Sequence, residues 1–367
     1  MTDFAAAHAV GKDWKDAATR AVAGLGRTDG ANLGFVYATD LLADDLPAIV
    51  AFLKAATGIA DWVGGIGIGI CAAAAEHFDV PAIAIMTARL PDKSFHLFER
   101  DADTTAGDAA RLGTADAPLF AIVHADPETP ETPALIERLA AETSGFLVGG
   151  LMSSRGANHQ VAGEVRSGGI SGVLFQPTVV VATGLSQGCR PIGEAHVITE
   201  CADHVLVALD GEPAAQVFRE DLELFLKKSQ AQNVGHLHAA LPIAGSDLGD
   251  YLVRNILGVD SERGHVAIGA KIAVGDRVLF VRRDPESALA DLRAMVERLK
   301  RRTDTPPKAG LYVSCIARGP NMFGAAGREV ELIRDVLGDF PLVGFYANGE
   351  ISANRLYGYT GVLTLFL

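Results

Sequence analysis

The stretch Val63-Gly64-Gly65-Ile66-Gly67-Ile68-Gly69-Ile70-Cys71 decides the fold class of this chain. Two readings compete for it. In a dinucleotide-binding unit, G-x-G-x-x-G fills the first turn after a strand, and an acidic residue follows about 20 positions on. Here the glycines stand at 65, 67 and 69, so the third comes one position early. The stretch also follows an apolar strand, Gly34-Phe35-Val36-Tyr37-Ala38, and a helical pattern from Leu46 to Leu53. It therefore ends a strand–helix–strand unit instead of opening one. The second reading is that glycine, lacking a Cβ, lets two backbones approach closely. That reading predicts a sheet segment and no phosphate loop.

Two further stretches read alike. The second copy begins Leu119-Phe120-Ala121-Ile122-Val123, continues with a helix over Pro133 to Ala140, and closes with Phe146-Leu147-Val148-Gly149-Gly150. The third begins Gly310-Leu311-Tyr312-Val313-Ser314, has a helix over Glu329 to Leu337, and closes with Pro341-Leu342-Val343-Gly344-Phe345. Phe35 to Val63 spans 28 positions, Phe120 to Val148 also 28, and Tyr312 to Val343 spans 31. The extra length falls in the loop from Ala317 to Gly327. Copies two and three share a tail: Gly163-Glu164 precedes Ser171 to Phe175, and Gly349-Glu350 precedes Thr360 to Thr364. After the second strand they read Leu-Met-Ser-Ser-Arg-Gly and Phe-Tyr-Ala-Asn-Gly-Glu, a variation not expected of a phosphate loop.

The sequence between copies two and three is rich in β pattern. A strand is expected over Thr178 to Leu185, and a hairpin over Ala195 to Leu209 turning near Ala202-Asp203. A second hairpin is expected to join Val266–Ile272 to Asp276–Arg282 through Val274-Gly275-Asp276. Helices are expected around Glu212 to Lys228 and from Pro285 to Leu299, before the linker Thr303-Asp304-Thr305-Pro306-Pro307. The fold class is α/β (α+β): internally repeated strand-helix-strand-strand units forming mixed or antiparallel sheets covered by helices. Strands joined without helices argue against an all-parallel sheet.

Bulk composition bounds the function. The 367 residues are long enough for two domains, and 49% hydrophobic content supplies a large core. A net charge of −13 repels a nucleic-acid backbone. The one basic run, Lys300-Arg301-Arg302, complements a helix C-terminus. No apolar run reaches a membrane span, so no membrane insertion is expected. The N-terminus lacks a basic start followed by an apolar core, and the four cysteines, at 71, 189, 201 and 315, form no C-x-x-C pair. A cytoplasmic protein with reduced thiols is expected.

Several phrases, in order, resemble the FIST family. They are Leu147-Val148-Gly149-Gly150, Ser186-Gln187-Gly188-Cys189-Arg190-Pro191-Ile192-Gly193, Leu209-Asp210-Gly211-Glu212-Pro213-Ala214, Tyr251 to Asp260, Ser314-Cys315-Ile316-Ala317-Arg318-Gly319, Gly349-Glu350-Ile351-Ser352, and Leu356 to Leu363. The resemblance runs from about residue 30 to the C-terminus. It implies an N-terminal helical extension over 1–30, a FIST N-terminal domain over 31–230 and a FIST C-terminal domain over 231–367. It also implies a small-ligand-binding sensory module of intracellular signal transduction, with an amino acid or similar molecule as ligand. Some members bind haem and sense nitric oxide, passing the signal to a histidine kinase or a cyclic-di-GMP enzyme. A separate partner is expected here, because no kinase, receiver or F-box segment is recognisable.

Candidate site residues concentrate in copy three. Arg318 offers a planar fork for a carboxylate, and Glu350 an acceptor for an ammonium group. The alternative is that the two pair with each other or cap helix ends. Cys315 is a candidate ligand contact and, in a rival reading, an enzyme nucleophile, although no histidine stands near it in sequence. Asn348, Arg254 and Arg190 are secondary candidates. His236 and His238 form H-x-H on an expected strand over Val234 to Leu241, where side chains at i and i+2 share a face and both reach one metal or a haem. Phe345, Tyr346, Tyr357 and Tyr359 line either the core or an aromatic wall of the pocket.

Overall fold

A computed structural model describes residues 4–26, 28–101, 103, 120–143, 145–229, 236–243, 250–303 and 305–367. Leu119, Val234 and the expected domain boundary at 230/231 lie outside the described residues. The chain divides into two compact units, residues 1–186 with 291–367, and residues 187–290.

The larger unit carries the three copies. The first comprises β1 (Phe4–Val10), α1 (Trp14–Leu25), β2 (Leu33–Thr39), α2 (Leu46–Thr57), β3 (Asp61–Gly67), the hairpin β4 (Gly69–Ala72) and β5 (Ala75–Phe78), and β6 (Ala82–Ala88). The second comprises β7 (Phe95–Arg100), β8 (Phe120–Ala125), α3 (Thr132–Thr143), β9 (Phe146–Leu151), the hairpin β10 (Gln160–Ala162) and β11 (Glu164–Arg166), and β12 (Ile170–Phe175). The third opens with β13 (Val181–Ser186). The smaller unit then intervenes. It holds β14 (Cys189–Pro191), β15 (His196–Ala202), β16 (Val205–Leu209), β17 (Glu212–Pro213), α4 (Ala214–Ser229), β18 (Leu237–Pro242), β19 (Tyr251–Asp260), β20 (His265–Ile268) and β21 (Arg277–Arg283). Helix α5 (Pro285–Arg302) leads back to β22 (Ala309–Cys315), α6 (Pro320–Phe323), α7 (Arg328–Leu337), β23 (Leu342–Ala347), the hairpin β24 (Glu350–Ser352) and β25 (Arg355–Tyr357), and β26 (Gly361–Phe366).

Each copy therefore has one plan: an edge strand, a parallel strand–helix–strand pair, a hairpin, and a last strand antiparallel to the first of the pair. Copy one also has the tail that the sequence showed only in copies two and three. The hairpins are exchanged in a cycle. The three six-stranded sheets run β1-β6-β2-β3-β10-β11, β7-β12-β8-β9-β24-β25 and β13-β26-β22-β23-β4-β5. The hairpin of copy one thus edges the third sheet, that of copy two the first, and that of copy three the second. The segment expected as a helical extension contains the strand β1, paired to β6 along its whole length. The sheets' inner faces meet in one apolar cluster that includes Phe35, Tyr37, Ile122, Phe175, Leu311, Phe345 and Phe366. Helices α1 and α2 cover the outer face of the first sheet, and α3 that of the second.

The glycine question is answered by geometry. A Cβ on Gly64 would lie 1.8 Å from the carbonyl oxygen of Val36, on Gly149 1.8 Å from that of Val123, and on Gly344 1.7 Å from that of Tyr312. Each glycine lies opposite that same residue in the parallel pair. These contacts put the three copies in register. Val36, Val123 and Tyr312 are equivalent, so the true spacings from the equivalents Phe35, Ile122 and Leu311 are 28, 26 and 32 positions. The equal spacing read in the sequence was out of register by two residues in copy two and by one in copy three.

In the smaller unit, β21-β15-β16-β20-β19-β18 closes into a ring of antiparallel strands, since β18 also pairs with β21. Its core includes Ile198, Leu206, Val266, Val278 and Phe280, with Ala214, Ala215 and Val217 of α4. The hairpin at Ala202-Asp203 forms. The second expected hairpin does not: β20 pairs with β16 and β19, and β21 with β14, β15 and β18. An antiparallel neighbour need not be the next strand in sequence when a ring offers other edges.

Candidate functional site

The register exposes a difference between the sheets that lies beneath their helices. In the first sheet the outer positions are Val36, Ala38, Ile66, Val161 and Val165, all packed in one apolar cluster. In the second they are Val123, Ala125, Leu151, Ile351 and Leu356, again apolar. The equivalents in the third sheet are Tyr312, Ser314, Tyr346, Cys71 and Glu76. Beneath α7 the third sheet has polar atoms at each of the places where its two siblings have only hydrocarbon. A buried polar atom left without its bond costs on the order of 1–3 kcal/mol. Such departures from the packing rule mark functional places.

Glu329, in the first turn of α7, organises this buried polar layer, which we term the chamber. Its fully buried carboxylate accepts from the Tyr312 hydroxyl at 2.7 Å, Ser314 Oγ at 3.0 Å, Arg318 Nε at 2.8 Å and the Gly319 amide at 3.2 Å. Arg318 is also fully buried. Its Nη2 lies 2.7 Å from the same Glu329 oxygen but off the donor axis, and its guanidinium carbon stands 5.7 Å from the Phe323 ring centre. Burial alone would lower the Arg318 pKa; Glu329 beside it more than offsets this and raises it. Arg318 therefore pairs with Glu329, neither with Glu350 nor with solvent.

Glu76 reaches the chamber from copy one, carried there by the exchanged hairpin. Neither of its carboxyl oxygens makes a hydrogen bond of good geometry. The amides of Gly327 and Glu329, at the start of α7, and the Tyr346 hydroxyl favour its charged form. Burial, with Glu329 adding to it, raises the Glu76 pKa to about 7. The Tyr346 ring packs at a tilt against Phe78, 4.6 Å between ring centres, and its hydroxyl too lacks a well-formed bond. Phe345, one residue earlier, faces the other way and stacks on Tyr37 at 5.1 Å in the shared core. The loop over the chamber, from Ile316 to Gly327, contains Gly319, Gly324 and Gly327, all at positive φ.

Glu350 and Cys315 stand on the far side of Arg318. Glu350 is fully buried and accepts from the Thr360 amide at 3.0 Å and its hydroxyl at 2.7 Å. Burial raises its pKa to about 8, so it is mostly a neutral acid at pH 7. Copy two contains an internal control. Gln160 is its equivalent, equally buried, and bonds Gly168, Gly169 and Ser171 ahead of and within its own last strand. The two side chains do the same tying work. The Cys315 thiol is buried and pushed well up, by burial first and by Glu350 second, which opposes a thiolate nucleophile.

These shifts set a pH dependence. Unfolded, Glu76 and Glu350 release their protons near 4.5, as glutamates in water do; folded, they hold them to about 7 and about 8. Between those values the folded state binds more protons, so stability falls as pH rises from about 5 to about 8. Glu350→Gln, which copies Gln160, is expected to stay within about 1 kcal/mol of wild type at pH 6 and to flatten that fall. Urea denaturation at several pH values measures both.

The remaining candidates do not join the chamber. Asn348 is an exposed turn residue whose amide donates to Leu151 O at 3.1 Å. The other four lie in the smaller unit. Arg190 is exposed on β14, across from Arg282. Arg254 is half-buried on β19, its pKa lowered by burial. His238 is buried on β18, and burial lowers its pKa to about 4, leaving the ring neutral. His236 is exposed just before that strand. Sequence reasoning missed Glu329, Glu76 and Tyr312; in the correct register, Tyr312 and Ser314 opposite Val36 and Ala38 were the available signal.

Fold and site together define a three-copy α/β protein in which one sheet–helix interface has been made polar. A model of the FIST N domain matches residues 32–212, and one of the FIST C domain matches residues 214–353. The chain belongs to the FIST family. FIST domains are associated with sensory signal transduction and small-ligand binding. An uncharacterised protein of Mycobacterium tuberculosis is 33% identical over 354 residues, covering 91% of this chain and 90% of the relative. An uncharacterised Mycobacterium bovis protein is 31% identical over 350 residues, covering 91% and 89%. No helix among the described residues is long and apolar enough to cross a membrane.

Proposed function

We propose that this protein is a cytoplasmic small-ligand sensor whose ligand enters the chamber between the third sheet and α7. The observation that carries this reading is the replacement of five apolar positions by Tyr312, Ser314, Tyr346, Cys71 and Glu76. The side-chain atoms there without a well-formed hydrogen bond are both Glu76 oxygens, the Tyr346 oxygen and Arg318 Nη2, so acceptors outnumber donors. Arg318, which the sequence assigned to a ligand carboxylate, is committed to Glu329. The chamber therefore favours a donor-rich group, and a primary ammonium has three donors. An amino acid or small amine fits, seated beneath the glycine-bearing loop. The occupied state then passes its signal to a separate protein, with a histidine kinase or cyclic-di-GMP enzyme as the partner class that the family resemblance implies.

The test is a thermal-shift screen of amino acids and simple amines against their N-acetyl derivatives. A ligand at 100 times its Kd stabilises by about 2.7 kcal/mol. The free amine is expected to raise the melting temperature, the acetylated form to leave it unchanged, and Glu76→Gln to abolish the effect. Equal stabilisation of wild type and Glu76→Gln would refute the site. Arg318→Ala is a poor probe, because it strands Glu329 in the core.

A further inference from the structure

A cavity of about 320 Å³ lies away from the chamber, where β1 at the edge of the first sheet meets the β4–β5 hairpin at the edge of the third. Its wall includes Ala6, Ala72 and Phe340, with His8, Arg334 and Asp339 as its ionisable groups. That size suits a small molecule, and ligand pockets are mostly apolar with a few placed polar groups.

The three-copy plan shows what is special here. At the equivalent seam between the second and first sheets, Glu99 and Arg166 form an ion pair. At the third seam the same two positions are Leu185 and Tyr357. At the cavity they are His8 and His77, with His77 Nε2 2.8 Å from His8 Nδ1. Burial lowers both pKa values, so the pair is two neutral imidazoles sharing one proton-bearing contact. That contact uses Nδ1 of His8 and leaves Nε2 as the other ring nitrogen of a residue that lines the cavity.

Arg334 is the cavity's one cation. Its Nε is 3.8 Å from Asp339, beyond hydrogen-bond range, and the Asp339 side chain is 91% exposed. Among the described residues its side chain makes no hydrogen bond. A guanidinium fork without a firm partner matches a carboxylate in both geometry and charge. We propose that this cavity is a second binding site, for a small monocarboxylate whose acid group takes Arg334 and His8 Nε2 and whose short apolar body lies against Ala6, Ala72 and Phe340. The site has its own lining residues, although it shares α7 and the β4–β5 hairpin with the ammonium chamber.

Butyrate and butyramide, titrated into the full chain, test this by ¹H–¹⁵N spectra of the histidine rings. Butyrate is expected to shift the His8 ring signals saturably, and butyramide to leave them in place. Arg334→Gln is expected to weaken butyrate binding at least tenfold, and Arg334→Lys to retain part of it. Binding of the amide as tightly as the acid, unchanged affinity in Arg334→Gln, or no movement of the His8 signals would each overturn the proposal. A chain that binds butyrate but no amine would reject the chamber and keep this site; the reverse result would do the opposite.

Discussion

Glu329→Ala is expected to destabilise the larger unit by about 3–5 kcal/mol, because it leaves the Arg318 guanidinium buried without its counter-charge. Both side chains are fully buried, so water cannot screen the loss. Tyr312, Ser314 and the Gly319 amide lose their acceptor in the same step. The double variant Arg318→Met/Glu329→Leu is expected to recover most of the stability, since a buried ion pair is often replaceable by hydrocarbon at little or no cost. Chemical denaturation of the single and double variants measures this. A loss below about 1 kcal/mol for Glu329→Ala would mean that the pair is solvated. If the double variant is stable but no longer responds to amines, the polar chamber exists for binding and not for folding.

Gly149→Ala is expected to be more damaging still. The added methyl carbon would stand 1.8 Å from the Val123 carbonyl oxygen, in a backbone with φ of +142°. Two effects combine. A side chain at that φ is strained by about 1–3 kcal/mol, and the overlap forces apart a parallel strand pair at the centre of a sheet. Loss of soluble, folded protein is the expected outcome, with Gly64→Ala behaving alike. Gly211→Ala separates the two effects. Gly211 has φ of +90° but nothing within 4 Å of an added Cβ, so only backbone strain applies and a loss of about 1–2 kcal/mol is expected. Equal losses at Gly149 and Gly211 would show that the close approach contributes nothing.

Much of the fold could be read before the structure. The 3.6-residue pattern of the helix from Pro285, the strands around Phe35 and Val148, and the glycine at one place in all three copies are local signals. The glycine stretch forms the strands β3 and β4, and Gly64 serves a close backbone approach. The site was less legible. Arg318, Glu350 and Cys315 do lie near one another, but the partner that decides Arg318, Glu329, was read only as a helix former.

The deeper miss was register. Copy three was read with Tyr312 opposite Phe35, whose ring lies in the shared core. The true equivalent is Val36, on the face beneath the helices. In a strand, a slip of one residue exchanges the two faces, so that register puts Tyr312 and Ser314 on the shared-core side. Copy two was also out of register, by two residues, but an even slip keeps the face and did no harm.

Local composition and periodicity, together with the order of family phrases, were enough to establish three related units, mixed sheets and the FIST resemblance. These depend on neighbours in the chain. The chamber depends on neighbours in space: Cys71 and Glu76 are delivered to the third sheet by the hairpin of the first copy, more than 200 positions before Arg318 and Glu329. No sequence window contains that exchange. Only the pairing of β4 with β23 brings a carboxyl group without a firm partner under α7, and only burial there makes it chemically distinct from any other glutamate on the surface.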